Sequence, residues 1–300
     1  KSLVCINDNL RMKRITESNY TNIENIITNS SNVLSELSTI TNAVDAFRKK
    51  FPPIYNWVCT HIPLIIAAAL YEGNRSKSER YFCINIICAN LREFARKLSK
   101  DEEFLNRLNE YISNPTLITK NGLSSFSSIM QSVIERAQGN LLQQFPDKLK
   151  LIEKLFQYID SPPIFSLLYF FTGAGNQFVV KFLDNELFID QFFAYIDRFP
   201  NQILRLTTNL VHSIDPCSTC FKHLTRDCHL EIFMNIAISN NIFSSLQAFR
   251  LLFLMCAIVA DLDIDDDDEE EDNPLNVCEF IIGNIDRICA FITELPFTPS

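Results

Sequence analysis

FLNRLNEYIS (104–113), LIEKLFQYID (151–160) and FIDQFFAYID (188–197) are three versions of one phrase. Each opens on two apolar residues, places another at the fifth position and closes on Tyr-Ile followed by Ser or Asp. The tyrosines, Tyr111, Tyr158 and Tyr195, stand 47 and then 37 residues apart. A fainter copy, LEIFMNIAIS (230–239), follows. Apolar side chains at i, i+1, i+4 and i+7 or i+8 share one face of a helix, whereas a strand would alternate.

Each copy ends in a break: Asn114-Pro115, Ser161-Pro162-Pro163 and Arg198-Phe199-Pro200. Proline lacks the N–H that an interior helical bond needs, yet it is well tolerated in the first turn of a new helix. A second apolar run follows each break: LSSFSSIMQSVIERA, IFSLLYFFTG and ILRLTTNLVHSI. The unit is therefore helix, short turn, helix, with a period near the ~40–47 residues of HEAT and armadillo repeats. Such units cannot bury their apolar faces alone and stack on one another. The expected fold is all-α, an armadillo/HEAT-like superhelix with units at about 104–135, 151–173 and 188–214. The three tyrosines are expected at equivalent positions.

Composition agrees. The chain has 300 residues, only six glycines and 25 phenylalanines. Scarce glycine leaves little material for tight hairpins and argues against a β-sandwich or a Rossmann-type sheet. Around the repeats, four regions are expected: a partly polar helical cap over 1–79, the repeat body over 80–260, a disordered acidic loop at 261–273 and one more helix in 274–300. EGNRSKSER (72–80) reads as a polar linker. A start at Lys1 suggests a piece of a longer protein.

The net charge of −9 sits mostly in one place. DLDIDDDDEEED (261–272) holds ten of the 36 acidic residues, which leaves 26 acids against 27 bases elsewhere. Without a Lys/Arg-rich stripe, nucleic acid is excluded as the main ligand. IPLIIAAALY (62–71) and LLFLMCAIVA (251–260) are the longest apolar runs, each ten residues against the ~18–20 that a bilayer needs. No membrane span is expected. KSLVCINDNLRMKR lacks the apolar core of a signal peptide, and the ten cysteines are scattered, several within helical patterns. Cytoplasm, or nucleus, is the expected compartment.

Candidate sites are few. CSTCFKHLTRDCH offers Cys217, Cys220, His223 and Cys228 in the spacing C-x2-C-x2-H-x4-C. Zinc takes four such ligands tetrahedrally. A knuckle, however, puts four residues between the second Cys and the His and carries a glycine that is missing here. No metal is expected at this set. Asp261, Asp263 and Asp265 imitate an EF-hand, but Asp266 replaces the required glycine and Asp272 the bidentate Glu. GAG at 173–175 has neither a preceding strand nor a following Lys-Ser/Thr, so it is no phosphate loop. None of the four histidines, His61, His212, His223 and His229, lies near a nucleophile in a tight turn. No catalytic group, cofactor or small-molecule substrate is expected, and the chain is read as a non-enzyme. Arg205, Asn209 and His212, at i, i+4 and i+7 on the second helix of the 188–214 unit, are the candidate partner-binding residues.

A family resemblance runs through residues 80–215. RYFCINIICANLREFARKLSKDEEFLNRLNEYI, SSFSSIMQSVIERAQGNLLQQF, LIEKLFQYIDSPPIFSLLYFFTG and VVKFLDNELFIDQFFAYID are similar, in order and spacing, to the SAPS domain. Arg80-Tyr81, the acidic lead-in DEEFL and the phrase FLDNELFIDQFFAYI carry most of it. That domain belongs to regulatory subunits of the protein phosphatase 6 (Sit-four type) catalytic subunit. The resemblance implies a helical-repeat scaffold that binds a Ser/Thr phosphatase catalytic subunit and steers its substrate choice. The alternative is an armadillo-like adaptor with a different partner.

Overall fold

The computed structural model describes residues 17–71, 75–173, 179, 186–261 and 276–294. Among them every regular element is helical and there is no strand. The acidic run beyond Asp261 and the Ala174-Gly175 end of the GAG phrase lie outside the described residues.

The chain enters through five short helices: α1 (Glu17–Asn29), α2 (Val33–Thr39), α3 (Ala43–Arg48), α4 (Pro52–Thr60) and α5 (Ile62–Leu70). The expected helical cap over 1–79 is thus divided into several short helices among the described residues. Prolines explain part of it: Pro52 and Pro63 sit in the first turns of α4 and α5. Next come α6 (Lys77–Ile87) and α7 (Arg92–Leu98). Here the linker expectation is corrected, because α6 takes up residues 77–80. Ser76 and Glu79 form a reciprocal cap. The Ser76 N–H donates to Glu79 Oε2 at 2.7 Å, and the Glu79 N–H donates to Ser76 Oγ at 3.1 Å. Two otherwise orphaned donors are satisfied, and the helix starts there.

The three units follow: α8 (Glu102–Ser113) with α9 (Lys120–Ala137), α11 (Lys148–Gln157) with α12 (Pro162–Phe171), and α13 (Glu186–Ile196) with α14 (Pro200–Val211). The short α10 (Asn140–Gln144) lies between the first and second. Every break falls at its proline. Pro162 and Pro200 open α12 and α14, and Pro115 opens a single 3-10 turn, Pro115–Leu117. Asp101, Thr119 and Asp147 cap α8, α9 and α11 through their side-chain oxygens. Beyond the units lie α15 (Thr219–Leu224), α16 (Asp227–Ala237) and α17 (Ile242–Ala260).

First helices pack on first helices, α8 on α11 and α11 on α13. Second helices pack on second helices, α9 on α12 and α12 on α14, and α14 packs in turn on α17. The apolar stripe read from the sequence faces inward throughout. Leu108, Leu155 and Phe192 are buried, as are Ile112, Ile159 and Ile196. The tyrosines are less alike than expected. Tyr111 is fully buried against Tyr71 and Phe126, whereas Tyr158 and Tyr195 are half-buried. The isoleucine of each Tyr-Ile pair, not the tyrosine, marks the constant core position.

By length and composition α17 could cross a membrane, although the sequence shows no long uninterrupted apolar run. It packs against α14, α16 and the next helix, burying Leu251, Leu252, Met255 and Val259. The expected single C-terminal helix is two: α18 (Asn276–Gly283) and α19 (Ile285–Glu294), broken at Asn284. Gly283 and Asn284 both favour a helix end over continuation. Arg287 clamps α19 to α16 by donating to both Glu231 oxygens at 2.9 and 3.0 Å and to Asn235 Oδ1 at 2.8 Å. The Cys256 and Cys278 sulfurs meet between α17 and α18 at 2.8 Å.

Candidate functional site

The second helices α12 and α14, together with α17, frame an open groove of about 390 Å³. Arg205, Thr208, Asn209 and His212 line it from α14, Tyr169 from α12, and Gln247 and Arg250 from α17. The three residues singled out by helical spacing are therefore neighbours in one concavity. Their roles differ, however. Asn209 Nδ2 donates to the Tyr169 carbonyl and to Thr172 Oγ1, each at 2.9 Å. Its amide is committed to holding α14 against α12. Arg205 and His212 are exposed.

Among the described residues Arg205 has no acidic partner. Its guanidinium lies 5.0 Å from the Phe165 ring centroid, an arrangement in which the ring face attracts the cation. No carboxylate lines the groove, and neither Arg205 nor Arg250 is in a salt bridge among the described residues. The buried amide oxygen of Gln247 has no hydrogen-bond partner there either. An unsatisfied buried acceptor costs free energy until a donor reaches it. Two cations without a carboxylate partner among the described residues suit a partner segment that is acidic. Arg250 and Gln247 were missed in the sequence because helical spacing within one unit says nothing about which face of a later helix lies opposite. Only tertiary packing puts them opposite Arg205.

Comparison with protein-family models, curated proteins and solved structures finds no match for this chain. The likeness to the SAPS domain therefore rests on the segments quoted above.

Elsewhere the cysteine-rich stretch does not gather as a knuckle. Cys217 and Cys228 are exposed, Cys220 is buried on α15, and none of the three belongs to a group of converging metal-capable atoms. Asp215 and Ser218 shape the local chain, accepting from the N–H groups of Cys217 at 2.9 Å and Phe221 at 3.3 Å. His223 Nε2 turns to Asp190 Oδ1 at 2.9 Å, and the His229 ring lies flat on Phe193. Burial lowers the pKa of His229, favouring its neutral imidazole. His61 is tied to the Trp57 carbonyl through Nδ1 at 2.8 Å, an end-of-helix contact. Burial pushes the Cys83 thiol up to about 12, which keeps it protonated and unreactive.

Proposed function

We propose that this chain is a non-catalytic α-solenoid scaffold of the armadillo/HEAT kind, and that the groove between α12, α14 and α17 seats a protein partner. The single observation that carries the reading is the convergence of Arg205, His212 and Arg250 on one groove. The like-on-like packing of first and second helices supports the solenoid, since stacked two-helix units make such a contact pattern. Second helices line the groove, which is where a stacked array offers a concave surface for extended partners. A preformed groove on rigid helices loses little ordering entropy on binding.

The resemblance over 80–215 supplies the partner: a Ser/Thr protein phosphatase catalytic subunit of the phosphatase 6 type, whose substrate choice the scaffold directs. This chain supplies no catalytic group to it. A cytoplasmic or nuclear site of action follows from the sequence reading of the cysteines.

The test is co-purification from the protein's own cell extract, followed by identification of the bound protein. A phosphatase catalytic subunit is expected, and Arg205→Ala with Arg250→Ala should lower the amount recovered while the helical circular dichroism stays unchanged. Recovery of a different, acidic partner through the same two arginines would remove the phosphatase and leave the scaffold. Undiminished binding by the double variant would remove the groove.

A further inference from the structure

On helices other than those lining the groove, three side chains from three elements converge. Asp190 of α13, His223 of α15 and His229 of α16 each offer one ligand atom, and these atoms all lie within 4.8 Å of one another. His223 Nε2 and Asp190 Oδ1 are already 2.9 Å apart. Atoms at that separation can both reach one ion at the ~2.0–2.2 Å of zinc–nitrogen and zinc–carboxylate bonds.

The third ligand is held in a ligating form. His229 Nδ1 lies 2.6 Å from the backbone carbonyl of His223 and donates its proton to it. That bond fixes the tautomer and leaves Nε2 as the atom with the lone pair. Metal-binding histidines are commonly oriented by this kind of outer hydrogen bond. The ring cannot easily swing away. It stacks on Phe193 with centroids 3.8 Å apart and planes 7° from parallel, and Phe233 backs Phe193 at 5.4 Å. His223 is only 6% exposed. Asp190, by contrast, is half-exposed, so its side provides the entry path and an open coordination position.

The structure assigns Asp190, His223 and His229 as a zinc site that staples α13, α15 and α16 together, with water completing the coordination. Two imidazoles and one carboxylate suit a borderline ion such as zinc, whereas calcium and magnesium select all-oxygen sets. The site takes only His223 from the set first suggested by the cysteine spacing. Its other members come from 33 residues upstream and from the next helix.

The chain, stripped with chelator and kept reduced, would be titrated with zinc alone by calorimetry and with cobalt by absorption. One saturable equivalent is expected, with a rise in thermal midpoint, because an ion that binds only the folded chain stabilises it. The cobalt spectrum should lack thiolate charge-transfer absorption. Asp190→Asn, a change on an exposed carboxylate that should fold normally, should weaken zinc binding at least as much as the ~10–100-fold typical of losing an orienting partner. His229→Gln should do the same, and Cys217→Ser/Cys220→Ser/Cys228→Ser should bind as the parent does. Absence of saturable uptake would overturn the assignment. So would zinc binding that survives Asp190→Asn but disappears in the triple cysteine variant.

Discussion

At the scale of single residues, Gly122 leaves room that the Tyr111 ring takes up. A Cβ added at Gly122 would lie 2.1 Å from the Tyr111 hydroxyl oxygen, far inside any real contact. Gly122 opens the way for α9 to pass over the wholly buried tyrosine, and this explains why only the first of the three repeat tyrosines is engulfed. Gly122→Ala should therefore destabilise the chain by ~1–3 kcal/mol, as overpacking does, although alanine is the better helix former. Removing the hydroxyl with Tyr111→Phe in the same chain should restore part of the loss. Urea unfolding of the two variants checks this, and an unchanged midpoint for Gly122→Ala would show that the helices can slide apart at no cost. The glycine was invisible in the sequence as a packing residue. Nothing in KNGLSS says that an aromatic ring eleven positions earlier ends beneath it.

At the scale of helices, what was legible depended on local chemistry. Proline breaks and the i, i+1, i+4, i+8 stripe are short-range signals, and they located the paired helices of each unit to within a few residues. Where the signal was long-range, it failed. The polar composition before residue 50 read as a helical cap without showing its division into α1, α2 and α3, and GNI at 283–285 read as interior although it ends α18. Asn209 shows the same limit within the site. Helical spacing put it on one face with Arg205 and His212, but its amide spans to α12 and is consumed there. The two neighbours should therefore separate by experiment. Asn209→Ala should lower stability by about 1 kcal/mol, the net worth of such bonds, with partner binding following only through that loss. Arg205→Ala should weaken the partner complex and leave the unfolding midpoint nearly in place. If Asn209→Ala left stability untouched, the α12–α14 bridge would not be a structural tie.

At the scale of the whole molecule, charge is distributed in a way that the total conceals. Ten acids are concentrated in 261–272 and the remainder nearly balances, yet the groove between α12, α14 and α17 is cationic. A near-neutral body sets up no strong general field, so steering of a partner falls to local groups. Arg205 and Arg250 are exposed, and solvent screening limits what each contributes to affinity. Their effect belongs mainly in the rate of encounter, which is where rim charges act. Raising ionic strength from about 0.01 M to 0.15 M shortens the Debye length from ~30 to ~8 Å. Over that range the association rate of an acidic partner should fall, while the dissociation rate changes little. In the chain carrying both Arg205→Ala and Arg250→Ala the low-salt rate should be reduced and its dependence on salt flattened. Surface plasmon resonance at several salt concentrations reads both rates directly. Parallel salt curves for the parent and the double variant would mean that the partner is drawn to some other surface. The groove would then lose its claim as the seat of binding, even if the scaffold reading stood.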